Sequence, residues 1–402
     1  MSQTRRIAAG MLAAASIGGY AMAQSAPQAA APAAPAVPPP PVKTWVDSVT
    51  LKGDLRYRYE TIDDGSKLDA SKDTYTRERD RIRARLSAEA KANDDLKVGI
   101  GLSTGGADPI SGNQTLTDGA QKKEMRLDTA FMDYNCFGDN PNEVHAIAGK
   151  MMTPFITMPD DLVFDPDLRP EGLALRGQFG GGFATVLANG GYIWIQERDS
   201  KDAGMLEAGQ GALKLEFVPE AVLTLGASYY GYRNLEGYDV IDVNNANSAY
   251  GNSTVKGSVS GSTTNKAWAS NFAPLVCFAQ FDTWVGGLPL SFFTQVLNNG
   301  DADKNNKGYL YGASLGKAKN PQTWELGYSY AEVQKDATLG MWTDSDRWGG
   351  GTDGKGHKLV AKYQIMKNLQ LGVSYFIDEH LIASGEKTKD YERMMVDVQA
   401  SF

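Results

Sequence analysis

Six arginines fall at every second position in two short stretches: Arg56 and Arg58 in one, Arg79, Arg81, Arg83 and Arg85 in the other. Guanidiniums keep their charge, so such a wall can attract and orient anions but cannot shuttle protons. Asp54, Glu60 and Glu89 share those faces, and the plainer reading is a solvated wall neutralised by its own carboxylates. A second charged set lies between Met152 and Pro170. There Asp160, Asp161, Asp165, Asp167 and Arg169, with Glu171 just beyond, are interleaved with Phe155, Phe164 and four prolines. A segment this apolar is expected to pack against something rather than project into water. Folded inward, it would set its four aspartates against the arginines. Covering a mouth or joining a subunit contact is the alternative use of such a segment. Clustered carboxylates also suit calcium, but the spacing lacks the Asp-x-Asp-x-Asp-Gly order with its later Glu, and no metal is assigned.

Catalytic signals are poor. His145, His357 and His380 sit near the ends of predicted strands, with no Ser in a nucleophile-elbow context. Gly180 to Gly182 reads as a turn, since no helix follows to make a phosphate cradle. We assign no catalytic residue and no cofactor.

The elements that carry these charges alternate with period two. Leu51, Gly53, Leu55, Tyr57 and Tyr59 share one face, against Lys52, Asp54, Arg56, Arg58 and Glu60 on the other. Ile82, Ala84, Leu86, Ala88 and Ala90 repeat the pattern against the second arginine set. Strict alternation over more than ten residues favours strand over helix. It also exceeds the usual strand of a soluble sandwich, about five or six residues. Further strands are predicted near 95–104, 126–136, 143–151, 171–178, 183–197, 205–218, 221–233, 270–282, 288–298, 307–317, 322–334, 356–366, 368–378 and 390–402. With those near 48–61 and 78–91 they number sixteen. Short and long connections alternate through all fifteen links, which is the signature of a transmembrane antiparallel β-barrel with short periplasmic turns and long outer loops. Arginines facing lipid near the midplane would each cost about 2–4 kcal/mol, so the basic face must be the lumen. Trp324, Leu326, Tyr328 and Tyr330, like Leu223, Leu225, Ala227 and Tyr229, then face lipid. Asp133 and Gln280 fall on awkward parities. Cys136 and Cys277 lie too many strands apart to be bridged.

Composition agrees by exclusion. Two Cys in 402 residues make no disulfide framework, three His leave little imidazole chemistry, and a net charge of −8 argues against nucleic acid as a partner. Arg5 and Arg6 precede a short apolar run ending Ala21-Met22-Ala23, so a secretory signal peptide is expected over 1–23, with the cut between Ala23 and Gln24. Residues 24–44 are mostly Ala and Pro and read as a periplasmic linker. The barrel takes 45–402. The chain stops on Phe402, at the end of a closing strand that alternates from Met394.

At this point the chain resembles the putative porin family of Gram-negative outer membranes. LKGDLRYRYE at 51–60, RERDRIRARL at 77–86 and STGGADPISGNQTL at 103–116 carry the resemblance. So do LDTAFMDY at 127–134, AGKMMTPF at 148–155, LVFDPDLRPEG at 162–172 and GKGHKLVAKYQIMKNLQLGVSYF at 354–376. The resemblance implies an outer-membrane barrel, a homotrimer like general porins, passing small hydrophilic solutes. It also implies that the terminal Phe402 is read by the outer-membrane assembly machinery. The expected work is passive diffusion of ions and small solutes through a water-filled pore. The alternatives are a substrate-selective anion channel, or a closed barrel anchoring a surface enzyme or adhesin.

Overall fold

In the computed structural model, residues 48–67, 75–199, 201–241, 243, 248–257, 266–383 and 388–402 are described. The expected signal peptide with its Ala23–Gln24 cut, and the linker, lie outside them. The strands are β1 (Val49–Asp64), β2 (Thr76–Lys91), β3 (Leu96–Thr104), the two-residue β4 (Gln114–Thr115), β5 (Met125–Asp139) and β6 (Asn142–Lys150). Next come β7 (Glu171–Gly181), β8 (Ala184–Gln196), β9 (Gly204–Val218) and β10 (Ala221–Arg233). After the short hairpin β11 (Thr254–Lys256) and β12 (Lys266–Trp268) follow β13 (Pro274–Val285), β14 (Leu288–Asn299) and β15 (Lys307–Gly316). The last are β16 (Trp324–Val333), β17 (Gly354–Met366), β18 (Leu369–His380) and β19 (Lys389–Ser401). Sixteen of these close an antiparallel ring, β1 pairing with both β2 and β19; β4 pairs with β2 inside a loop, and β11–β12 stand apart.

The closure is local chemistry. Phe402 exchanges both backbone hydrogen bonds with Gly53, at 3.0 Å each. A Cβ at Gly53 would strike the Phe402 ring and lie 2.9 Å from the Arg85 carbonyl. Glycine therefore lets the terminal aromatic lie flat over the seam. Outward faces are apolar, with Leu51, Leu55, Leu173, Leu175, Leu326 and Leu359 all exposed in the single chain. Tyrosines edge this band with their hydroxyls bonded to polar neighbours: Tyr57 donates to Asp80 at 2.7 Å and Tyr375 to Glu392 at 2.6 Å. An amphipathic ring with a wet tip suits the lipid–water boundary.

The two awkward parities have separate causes. Register irregularities in β5 free Asp128 and Cys136 from the ladder, which keeps Thr129 and Asp133 on the lumenal side. Gln280 needs no bulge. It faces the lumen opposite Phe293, in line with Val276 and Phe278. Alternation fails on β13 and β14 because the inner wall there is itself apolar.

Candidate functional site: a lumenal constriction

On β1 and β2 the arginines meet in register: Arg56 opposite Arg83, Arg58 opposite Arg81, Glu60 opposite Arg79, Asp54 opposite Arg85. Like charges directly opposite one another destabilise a sheet unless counter-charges intervene. Carboxylates supply most of that compensation. Arg58 forks onto Asp397 at 2.7 and 2.8 Å; Arg79 and Arg81 share Glu60, and Arg85 takes Asp54 at 2.7 Å. Arg393 of β19 joins the wall, donating to Glu60 at 2.5 Å. Sequence reading missed this seventh arginine, although it keeps the lumenal parity of β19. Arg56, Arg58, Arg83 and Arg393 are all buried.

The segment after β6 folds into the lumen, and its apolar residues explain why. Phe155, Met158, Leu162, Val163, Phe164 and Leu168 are buried against Ile193, Leu206, Tyr230, Val276, Phe278 and Phe293 of the barrel wall. Phe155 stacks on Phe164 at 5.7 Å, and both rings meet Tyr230 edge-on. Gly191 makes the room, since a Cβ there would lie 2.8 Å from Phe155. β10, which carries Tyr230, lies half-way round the ring from β1. The loop is thus backed by an apolar wall, and its polar edge is left toward the arginines.

Only one of the four aspartates expected to face the arginine wall bonds to it. Asp167 accepts from Arg83 at 3.0 Å and from Arg85 at 3.2 Å. Asp161 turns back into the loop, accepting from the backbone of Met158, Val163 and Phe164 and from Gln295. Asp165 likewise takes backbone N–H groups, those of Asp167 and Ser345. Asp160 reaches the other side, to Lys358 of β17 and to Ser329 and Arg347. The loop offers its own N–H groups at closer range than the wall does, so aspartates two or three residues upstream of free N–H groups fold onto them. Arg169 caps Pro166 and Leu168 carbonyls and pairs with Asp128 at 3.3 Å. Glu171 opens β7 on the outward side, exposed and paired with Lys150 at 2.7 Å.

A second inward segment, Lys335 to Asp353, lies in the link between the strands predicted near 322–334 and 356–366. Its Leu339, Met341, Trp342 and Trp348 join the same apolar core, and Asp165 N–H donates to the Trp342 carbonyl at 2.8 Å. This segment delivers Asp346 to Arg58 at 3.4 Å and to Arg393 at 3.0 Å. Its apolar residues are the same signal that marks the first loop.

The loop carboxylates are held in opposite states. Burial raises the Asp160 carboxyl, but Lys358 and Arg347 outweigh it and hold it at about 2. At Asp165 burial dominates, and the neighbouring Asp344 carboxylate adds to it, pushing the group up to about 8. Asp161 is raised by burial as well, against four hydrogen bonds that pull it down. Asp346 is held far down, its burial overcome by Arg393 and Arg58.

Two polar cavities, of about 370 and 430 Å³, share Asp167 and Arg169 on their linings. Arg56, Arg83, Asn113, Asp160, Asp346 and Lys358 line the first; Arg85, Asp108, Arg126, Asp128 and Lys150 line the second. The histidines lie apart from this region. His145 bonds Asp133 at 2.7 Å, His357 meets Tyr328 on the outer face, and His380 lies 3.3 Å from Asp64.

A closed sixteen-stranded barrel with an apolar outer band, a charged inner wall and inward loops is an outer-membrane barrel of the porin type. The fold is shared with solved structures: Pseudomonas putida OprB matches with a TM-score of 0.55 at 12% identity, over 89% of this chain and 95% of that one. A loop L8 deletion mutant of Vibrio cholerae OmpT, an outer membrane protein, matches with a TM-score of 0.50 at 11% identity, over 89% of this chain and all of that one. No curated protein matches by sequence. The chain belongs to the family described as Putative porin, whose profile matches residues 63–265 and 246–402. Its place is the outer membrane of a Gram-negative bacterium.

Proposed function

We propose that this porin passes ions and small hydrophilic solutes passively, and that the β1–β2 arginines and the inward loop form its charge filter. The observation that carries the reading is Asp167, set by the loop between Arg83 and Arg85. Fixed charges of both signs across a wet passage create a transverse field, and conduction through it needs no cofactor or energy source. Six of the seven lumenal arginines (58, 79, 81, 83, 85 and 393) share five carboxylates, those of Asp54, Glu60, Asp167, Asp346 and Asp397, and Arg56 adds a seventh positive charge. This local excess favours anions although the whole chain carries −8. Reversal potential under a KCl gradient tests it: the double variant R81E/R83E should shift selectivity toward cations, and an unchanged potential would remove these residues from the filter.

A substrate-selective anion channel is the second reading, favoured by the same excess. A closed barrel anchoring a surface enzyme or adhesin would be the outcome of inserted protein that conducts nothing. The remaining assignments are export by a signal peptide cut after Ala23, from the Arg5-Arg6 start and the Ala21-Met22-Ala23 end of the apolar run, and, from the family resemblance, assembly through Phe402 and a homotrimeric state. Molecular mass in detergent by light scattering tests the last.

A further inference from the structure

Among the described residues one wall arginine is in no salt bridge. Among the described residues no carboxylate lies within salt-bridge distance of Arg56, and its one hydrogen bond runs from Nη2 to Asn113 Oδ1 at 2.7 Å. Its Nε is buried and has no partner. The residue is 9% exposed, so bulk water does not stand in for a counter-charge. Its cross-strand neighbours are Arg83 and Gln399, and its neighbour along the strand is Arg58. The carboxylates of those two arginines are already engaged, Asp397 by Arg58, and Asp54 and Asp167 by Arg83. A buried guanidinium between two others, with most of its donors idle, costs free energy that a bound anion would offset.

The space beside it can take one. Arg56, Arg83 and Asn113 line the cavity of about 370 Å³, together with Thr153, Thr157 and Ser345. Thr153 Oγ1 is also buried without a partner. The aspartates on the same lining are already engaged: Asp160 by Lys358, Asp161 and Asp165 by backbone N–H groups, Asp167 by Arg83 and Arg85, Asp344 by the Asp346 N–H, and Asp346 by Arg58 and Arg393.

We propose that Arg56 is a binding step for small carboxylates within the pore, its free guanidinium edge forking onto the two oxygens and Thr153 giving a further donor. The inference rests on the pore reading and adds a solute class to it. A planar carboxylate sets one oxygen against each of the two parallel donors of the fork, a match that a single spherical chloride lacks.

Two measurements separate this claim from the pore itself. Single-channel conductance of the refolded chain in potassium acetate should saturate with concentration, while that in KCl rises linearly. Line broadening of labelled acetate by the barrel in detergent micelles reports binding without conduction. In R56Q the half-saturation concentration should rise about ten-fold or more, the loss expected for a charge-assisted pair. R56K keeps the charge but lacks the fork, and should weaken binding as well; it replaces R56Q if that variant does not fold. Linear acetate conductance with no broadening overturns the site and leaves the pore standing. Saturation of equal strength in the variants overturns it too. Broadening that depends on Arg56 in a barrel that conducts nothing upholds the site and removes the pore reading; neither signal removes both.

Discussion

The side-chain amide of Gln210 closes a ring of two hydrogen bonds with the backbone of Ile156, accepting from its N–H at 2.7 Å and donating to its carbonyl at 2.9 Å. Ser228 and Asn189 hold the amide in place from the neighbouring strands, and Gln295 accepts from the Leu162 N–H at 2.8 Å while donating to the Asp161 carboxylate. An apolar loop in a wet lumen must still satisfy its backbone, and these two glutamines do so from the wall.

Removing the ring should loosen the constriction. Q210A leaves the Ile156 backbone unpaired, a cost of about 2 kcal/mol or more, while the Phe155–Phe164–Tyr230 packing remains. We expect larger and noisier single-channel steps, with the barrel still resistant to detergent at room temperature. Q210A/Q295A should exceed the single variant in both respects. Current traces identical to wild type would show that the glutamines do not hold the loop.

Asp167 should tune selectivity without changing pore size much. D167N frees Arg83 and Arg85 from their shared loop carboxylate, leaving Asp54 as their one partner. The reversal potential under a KCl gradient should move toward anions, and the effect should shrink at high salt as the charges are screened. A shift toward cations would contradict the assignment.

The joint between the two inward loops should depend on pH. Asp165, faced by Asp344 and Asp167 and by the N–H groups of Asp167 and Ser345, has a folded value near 8 against an ordinary 3.8. A raised acid favours the docked form fully below its ordinary value, and that contribution fades as pH rises through the folded value. Asp344 titrates with it, so the window belongs to the pair. Open-channel noise should therefore grow between about pH 4 and pH 8. D165N should flatten that dependence. At the acid end Asp160, held near 2, loses its grip on Lys358 only as pH falls below the ordinary carboxylate range.

At the seam, F402A removes the ring that covers Gly53, and G53V drives a side chain into the same space. Both should lower the yield of heat-modifiable, folded barrel on gels, G53V more severely because the Arg85 carbonyl cannot move aside. Wild-type yields from both variants would make the terminal aromatic dispensable for closure.

Much of this molecule is legible in the alternation of its strands. Arg56 to Glu60 against Tyr57 and Tyr59 already says which face is wet, and alternating link lengths give the ring of sixteen. The rest was hidden for two physical reasons. Where the inner wall is apolar, as at Val276 and Phe278, both faces look alike and parity carries no signal. Within loops, partner choice depends on distances that spacing does not encode: Asp161 and Asp167 look equivalent in sequence, yet one caps the loop and the other reaches Arg83. The segment around Leu339, Met341 and Trp342 did carry the apolar signal of an inward loop, diluted by the Gly- and Asp-rich run that follows it.

The most direct test of the account is the single-channel conductance of purified, refolded protein in a planar bilayer under a KCl gradient. Stable ohmic steps are expected, with a reversal potential on the anion side set by seven arginines against five carboxylates. Inserted barrels that stay electrically silent would contradict it.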